Sequence, residues 1–266
     1  MRIIPTILLL ILCITGHAQR VRIAAAADLR FAMDEIVAAY KSEHPNVNLE
    51  VIYGSSGNAY TQISNGGAPY DIYFSADISY PQRLYEAGLT VHEPTLYAIG
   101  RIALWSSSID VSKGFSVLSE NSRARIAIAN PSHAPYGERA VEALTYMGLY
   151  DKVKSQLIYG ENISQAAQFC LTGNAQIGIL ALALVMSPNM QTKGNYYLID
   201  DGTHNSLQQG FVILNRAKDN ALAHDFARYI SSPPAITILE KYGFELPERT
   251  TRRYINREKR SSDDFM

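Results

Sequence analysis

The sequence has no excess charge of either sign and very little cysteine. It contains 24 Lys and Arg residues against 25 Asp and Glu residues, for a formal net charge of -1. Because such a surface gives no basic field to attract a polyanion, we do not expect nucleic-acid binding. Cys13 lies in an apolar segment at the N-terminus, so Cys170 has no partner for an internal disulfide.

Motifs for metal binding and for catalysis are also lacking. No two of the six histidines are spaced i, i+4, so we expect no site for a bare metal cation. The segment YGSSGN around Ser56 does not match the G-x-S-x-G turn of a serine nucleophile, and it lacks the lysine of a nucleotide-binding loop. We therefore expect a protein that is not an enzyme and holds no cofactor.

The two ends of the chain differ from the rest. Arg2 precedes an apolar stretch, Ile3 to Ile14, that is too short to span a bilayer, and small residues follow at Gly16 and Ala18. This pattern predicts a signal peptide over residues 1–18 and a secreted protein, with a lipid anchor disfavoured. Residues 248–266 carry six basic and four acidic residues without apolar periodicity and are expected to form a disordered charged tail.

Between these ends, short apolar runs alternate with amphipathic helical patterns. Strand candidates are 21–25, 47–53, 70–76, 96–105, 125–129, 176–182, 196–200 and 207–214. Helical patterns include 29–40, 138–147, 164–171 and 220–230. The alternation predicts an α/β protein with mainly parallel sheets flanked by helices.

Four strand-to-helix turns share one chemistry. They lie at 27–29, 54–58, 135–138 and 160–164, and each offers small or hydroxyl residues and free backbone N–H groups at a helix start. In open α/β sheets such turns lie at the carboxyl ends of strands, where ligands bind. Since helix N-termini carry partial positive charge, several that converge would bind an anion without lysine or arginine.

Four segments resemble, in order and spacing, the periplasmic molybdate-binding proteins of ABC importers. They are AAAADLRFAMDEI, YGSSGNAYTQISNGGAPYDIYFSAD, ANPSHAPYG and ILEKYGF. The resemblance implies a type II-like periplasmic-binding-protein fold with two lobes, a hinge and a cleft. Residues 19–100 with 206–247 would form lobe 1, and 101–205 would form lobe 2. It also implies a monomer that binds molybdate or tungstate and passes it to a permease and its ATPase.

The resemblance also implies which residues hold the oxyanion. The second turn supplies Ser56, through its hydroxyl and its N–H, and the third and fourth turns supply the backbone N–H groups of Tyr136 and Ile163. Two positions depart from the family pattern. Asp28 replaces a serine expected in the first turn, and Ala181 replaces a tyrosine expected near the end of a strand.

The role of Asp28 is open. An ionised carboxylate about 4 Å from a dianion is repelled by about 8 kcal/mol at an effective dielectric of about 20, roughly the whole free energy of micromolar binding. Asp28 therefore either caps its own helix, which we favour, or pairs with Arg30, or accepts a hydrogen bond from a protonated anion. The last arrangement would make the ligand a protonatable oxyanion such as phosphate. An enzyme or a sensor on the same scaffold is a further alternative.

Overall fold

The computed structural model describes residues 20–247. The predicted signal peptide, 1–18, and the predicted tail, 248–266, lie outside the described residues. Within residues 20–247 no helix has both the length and the apolar character needed to cross a membrane.

The strands are β1 Arg20–Ala26, β2 Asn48–Gly54, β3 Ile72–Ser75, β4 Thr95–Gly100, β5 Ile102–Ser106, β6 Ile126–Ala129, β7 Leu157–Gly160, β8 Ile177–Ala181, β9 Asn195–Leu198 and β10 Leu207–Ile213. The helices are α1 Arg30–Glu43, α2 Ser56–Ser64, α3 Ser79–Glu86, α4 Ser116–Glu120, α5 Pro135–Tyr146, α6 Tyr150–Val153, α7 Ile163–Leu171, α8 Leu182–Val185, α9 Pro188–Gln191, α10 Ala221–Tyr229 and α11 Pro233–Lys241. A short 3-10 turn, Ala27–Leu29, joins β1 to α1.

These strands form two mixed sheets, each with five strands in the described part of the chain. The first has the order β2-β1-β3-β10-β4 and the second the order β7-β6-β8-β5-β9. In each sheet four strands run in one direction, and only β10 or β5 runs against its neighbours. We call the first sheet with its helices lobe 1 and the second sheet with its helices lobe 2. The architecture is the α/β fold with mainly parallel sheets that the sequence predicts.

The single strand predicted over 96–105 is wrong. The chain pairs with the first sheet through β4, breaks at Arg101, and continues in the second sheet as β5. Arg101 directs its guanidinium to the Glu245 carboxylate at 3.3 Å, so a polar residue interrupts the apolar run where the chain changes lobes. The sequence patterns also missed β7, a short edge strand, and α11, which begins with two prolines at positions where a helix tolerates them.

Small residues at the ends of the lobe 1 strands bring the two lobes together. The apolar stripe predicted along residues 29–40 is buried in lobe 1, as its helical spacing indicates. Ala26, the last residue of β1, and Ala27, which follows it, instead pack with the hydrophobic core of lobe 2, together with Ala76 after β3. The alanine run that precedes Asp28 therefore allows close approach between lobes.

Candidate functional site

The four predicted turns meet in one cavity between the lobes. Asp28 and Ser56 line it from lobe 1, and Tyr136 and Ile163 line it from lobe 2. The space between these residues amounts to about 200 Å³ when the part open to solvent is included. Its other lining residues are Ala26, Ala27, Gly54, Ser55, Ala76, Ala134, Pro135 and Asn162. Within the described chain, no lysine or arginine is among the lining residues.

At the starts of α2, α5 and α7, backbone N–H groups remain without an acceptor within the described residues. The Ser55 hydroxyl accepts from the third N–H of α2, and the Asn162 side chain accepts from the third N–H of α7. The N–H groups of Ser56, Tyr136 and Ile163 have no acceptor within residues 20–247. Each belongs to the first turn of its helix, where the helix dipole is positive. This arrangement can bind an anion.

Ser56 is held so that its hydroxyl hydrogen is available. Its Oγ accepts a hydrogen bond from the Ala76 N–H at 3.0 Å, and its carbonyl oxygen accepts from the Tyr73 hydroxyl at 2.7 Å. The residue is buried. Since a serine hydroxyl is both donor and acceptor, Ser56 can still donate to an oxygen placed in the cavity.

Asp28 does not cap its own helix, so the favoured expectation is wrong. It lies within the 3-10 turn, α1 begins two residues later, and neither element has a side-chain cap. Its Oδ2 instead accepts hydrogen bonds from the Tyr136 hydroxyl at 2.9 Å and from the Gln209 amide nitrogen at 2.6 Å. The alternative pairing with Arg30 is not found either, because that guanidinium lies over the Tyr53 ring, 5.6 Å from its centroid.

Two residues that the sequence analysis missed complete this network. The Tyr97 hydroxyl donates to Gln209 Oε1 at 2.7 Å, which orients the amide so that its nitrogen faces Asp28. Tyr97 lies on β4 and Gln209 on β10, and both are buried. A signal for Gln209 was present, because strand alternation places it on the same face as the buried Leu207 and Phe211.

Burial controls the protonation of this network. It raises the pKa of Asp28 from 3.8 to about 6, against the opposing effect of the Gln209 and Tyr136 side chains and of the Asp28 and Leu29 backbone N–H groups. Asp28 Oδ1 is buried and has no hydrogen-bond partner within residues 20–247. Burial, with the nearby Asp28 charge, raises the pKa values of Tyr97 and Tyr136 well above their ordinary range. Both tyrosines therefore remain O–H donors at neutral pH.

Direct contacts between the lobes close the rim of the cavity. The Gly57 N–H donates to the His133 carbonyl at 2.9 Å, and a Cβ on Gly57 would lie 2.6 Å from that oxygen. Arg139 Nη2 lies 2.9 Å from Asp77 Oδ2 in a largely buried ion pair. The structure is therefore a closed arrangement of the two lobes.

The remaining expectations concern Ala181 and metal ions. Ala181 is buried in β8 opposite Ile102 and does not line the cavity, so no side chain from this position reaches it. Within residues 20–247, no group of three or more His, Cys, Asp or Glu side chains is placed to hold a metal ion.

Comparison with known proteins gives matches over most of the chain. A family model described as bacterial extracellular solute-binding protein matches residues 21–245. The molybdate-binding protein ModA of Azotobacter vinelandii is 34% identical over 238 residues, which cover 89% of this chain and 94% of that protein. ModA of Rhodobacter capsulatus is 31% identical over 234 residues, 88% of this chain and 91% of that protein.

The fold matches that of a solved relative. The periplasmic molybdate-binding protein of Azotobacter vinelandii superposes with a TM-score of 0.80 at 29% identity, and the match covers 86% of this chain and 100% of that one. The two-sheet architecture described above is therefore that of a two-lobed periplasmic binding protein.

Proposed function

This chain belongs to the bacterial extracellular solute-binding proteins, and we propose from this premise that it captures molybdate for an ABC importer. Its relatives of known name are solute-binding proteins rather than enzymes. Its chemical act is therefore binding, and its partners are the permease and the ATPase of the importer.

The observation that carries the proposal is the set of donors around the cavity. The backbone N–H groups of three lining residues from both lobes have no acceptor within residues 20–247, and the Ser56 hydroxyl can also donate. No lysine or arginine of the described chain lines the cavity. Neutral donors at helix N-termini stabilise an oxyanion through partial charges. We infer that Ser56, Tyr136 and Ile163 contact the anion oxygens directly, with Asp28 beside them.

Closure of the two lobes follows from the same contacts between the anion and its donors. A ligand that bonds to donors on both lobes stabilises the closed form relative to the open one, which is the hinge closure typical of this fold. In our proposal the chain acts as a monomer in the periplasm after removal of residues 1–18, and it also accepts tungstate. The permease then distinguishes the closed, loaded form from the open one.

Calorimetric titration of the purified chain with molybdate, tungstate, sulfate and phosphate tests this proposal. We expect molybdate and tungstate to bind with 1:1 stoichiometry and sulfate to bind much more weakly. Phosphate is the informative competitor, because hydrogenphosphate can donate a hydrogen bond to an ionised Asp28. Tight phosphate binding without molybdate binding, or binding of none of the four, would overturn the proposal.

A further inference from the structure

The two oxygens of the Asp28 carboxyl differ in how their hydrogen-bonding capacity is used. Oδ2 accepts from both Tyr136 and Gln209. Oδ1 has no partner within residues 20–247, although Asp28 is 1% exposed and lines the cavity. An oxygen of this kind accepts two hydrogen bonds through its lone pairs, so the two donors occupy Oδ2. A proton on this carboxyl therefore belongs on Oδ1.

We propose that Asp28 binds the oxyanion as a neutral carboxylic acid, which donates its Oδ1–H to an anion oxygen, so that capture of one molybdate takes up one proton. The inference rests on the proposed function. The proton comes from solvent, and no covalent bond to the anion forms. Asp28 then helps to determine specificity for fully ionised oxyanions, because such an anion can accept this hydrogen bond at every oxygen.

The network fixes which oxygen carries the proton. Tyr97 donates to the Gln209 carbonyl oxygen, so the Gln209 amide must present its nitrogen to Asp28. The same nitrogen lies 3.1 Å from the Tyr136 hydroxyl oxygen, which directs the Tyr136 hydrogen toward Asp28 as well. Oδ2 therefore faces donors only, whereas Oδ1 has no hydrogen-bond partner within residues 20–247.

The surroundings of Asp28 favour the neutral form. The titratable groups that face it are Tyr136 on α5 and, through Gln209 on β10, Tyr97 on β4, and both stay uncharged near neutral pH. No cation within residues 20–247 pairs with the Asp28 carboxylate. With a pKa of about 6, about one ligand-free molecule in ten carries the proton at pH 7. The repulsion between a dianion and an ionised neighbour far exceeds this tenfold penalty.

Calorimetry over pH 6 to 8 tests the proposal, with each pH measured in two buffers of different ionisation enthalpy. For the purified chain we expect an uptake approaching one proton per molybdate at pH 8, and an affinity that falls by up to about tenfold per pH unit above pH 6. Asp28→Asn keeps the shape and an N–H donor but cannot titrate. We expect no proton uptake in this variant, an affinity independent of pH, and tighter binding than the unchanged chain at pH 8.

Asp151→Asn is the matched control, because Asp151 is an exposed carboxylate paired with Lys154 on the surface. It should retain full proton uptake. Thermal melting confirms that both variants are folded.

Several results would overturn the inference. Molybdate binding at pH 8 without proton uptake would do so. Proton uptake that persists in Asp28→Asn would do so as well, since Asp28 would then not be the group that takes up the proton. If hydrogenphosphate bound without proton uptake, and this binding were lost in Asp28→Asn, an ionised Asp28 would be acting as a hydrogen-bond acceptor. Absence of molybdate binding at every pH, in both the chain and the variant, marks instead the failure of the proposed function itself.

Discussion

The Tyr136 hydroxyl donates to Asp28 Oδ2 at 2.9 Å, so a helix of lobe 2 is tied to the turn that follows β1 in lobe 1. The backbone N–H of the same tyrosine has no acceptor within residues 20–247 and belongs to a residue that lines the cavity. One residue thus serves both lobe closure and anion binding. Anion binding and closure are expected to stabilise each other for this reason.

Tyr136→Phe separates these two roles, because it removes the hydroxyl and keeps the backbone N–H. We expect the molybdate dissociation constant to rise about 5- to 30-fold, or about 1 to 2 kcal/mol, from the loss of one buried hydrogen bond. Calorimetry at pH 7 measures this change. Tyr146→Phe is the control, since Tyr146 ends the same helix and is 70% exposed. Equal molybdate affinities for the two variants would show that the Tyr136 hydroxyl does not stabilise the closed, ligand-bound form.

Gly57→Ala tests whether the closed arrangement is required for binding. The added Cβ would lie 2.6 Å from the His133 carbonyl oxygen of the other lobe, a contact with backbone that cannot move aside cheaply. We expect at least a tenfold loss of molybdate affinity and a smaller ligand-induced decrease in the radius of gyration measured by small-angle X-ray scattering.

Gly67→Ala is the matched control for this clash, because a Cβ at Gly67 meets no atom within 4 Å. The thermal stability of the ligand-free chain should be similar in both variants, since Gly57 contacts the other lobe rather than the core of its own. Full closure and full affinity in Gly57→Ala would contradict the described contact.

The sequence predicted the features that depend on neighbouring residues. Alternating apolar runs indicated the α/β layers, and small or hydroxyl residues after strands indicated the four turns that line the cavity. The network around Asp28 could not be predicted in this way, because Gln209 is 181 positions away and only the return of β10 beside β3 and β4 brings it near. Local chemistry suggested a helix cap for Asp28, whereas the tertiary structure supplies the Tyr136 hydroxyl and the Gln209 amide as donors.

The raised pKa of Asp28 predicts a dependence of stability on pH. The folded chain binds this proton more tightly than the unfolded chain does, since burial raises the pKa from 3.8 to about 6. The associated stability is present below about pH 4 and is lost as the pH rises through about 6. We therefore expect ligand-free Asp28→Asn to exceed the unchanged chain in free energy of unfolding by up to about 3 kcal/mol at pH 7.5.

Urea unfolding at several pH values, without ligand, measures this difference. At pH 4 the two proteins should be nearly equally stable, because Asp28 is then protonated in the folded state. A difference that does not change between pH 4 and pH 7.5 would show that Asp28 does not titrate in this range.

The Arg139–Asp77 ion pair predicts a contribution of charge to closure. The two side chains are 9% and 19% exposed, and the same guanidinium also contacts Glu142 at 2.8 Å and Glu138 at 3.3 Å. Arg139→Gln leaves the three carboxylates without this cation. We expect a loss of about 1 to 2 kcal/mol in molybdate binding, between the values typical of exposed and of buried pairs.

A double-mutant cycle with Asp77→Asn checks that the pair acts as a unit, since the double variant should bind little worse than either single one. Lys113→Gln is the control, because Lys113 pairs with Glu120 on the exposed surface of one lobe. If the losses of molybdate binding free energy in the two single variants were fully additive in the double variant, the two residues would act on closure independently.

Ser56→Ala tests the one side-chain hydroxyl assigned to the anion. The substitution removes a donor to a charged ligand, and such hydrogen bonds are worth about 1.5 to 3 kcal/mol, so the molybdate dissociation constant should rise about 10- to 150-fold. Ser64→Ala, at the other end of the same helix, should bind as the unchanged chain does. Because the Ala76 N–H also loses its acceptor in Ser56→Ala, the ligand-free stability must be measured in parallel. A loss of stability with unchanged affinity would make Ser56 a structural residue, and the anion would then be held by backbone N–H groups and Asp28.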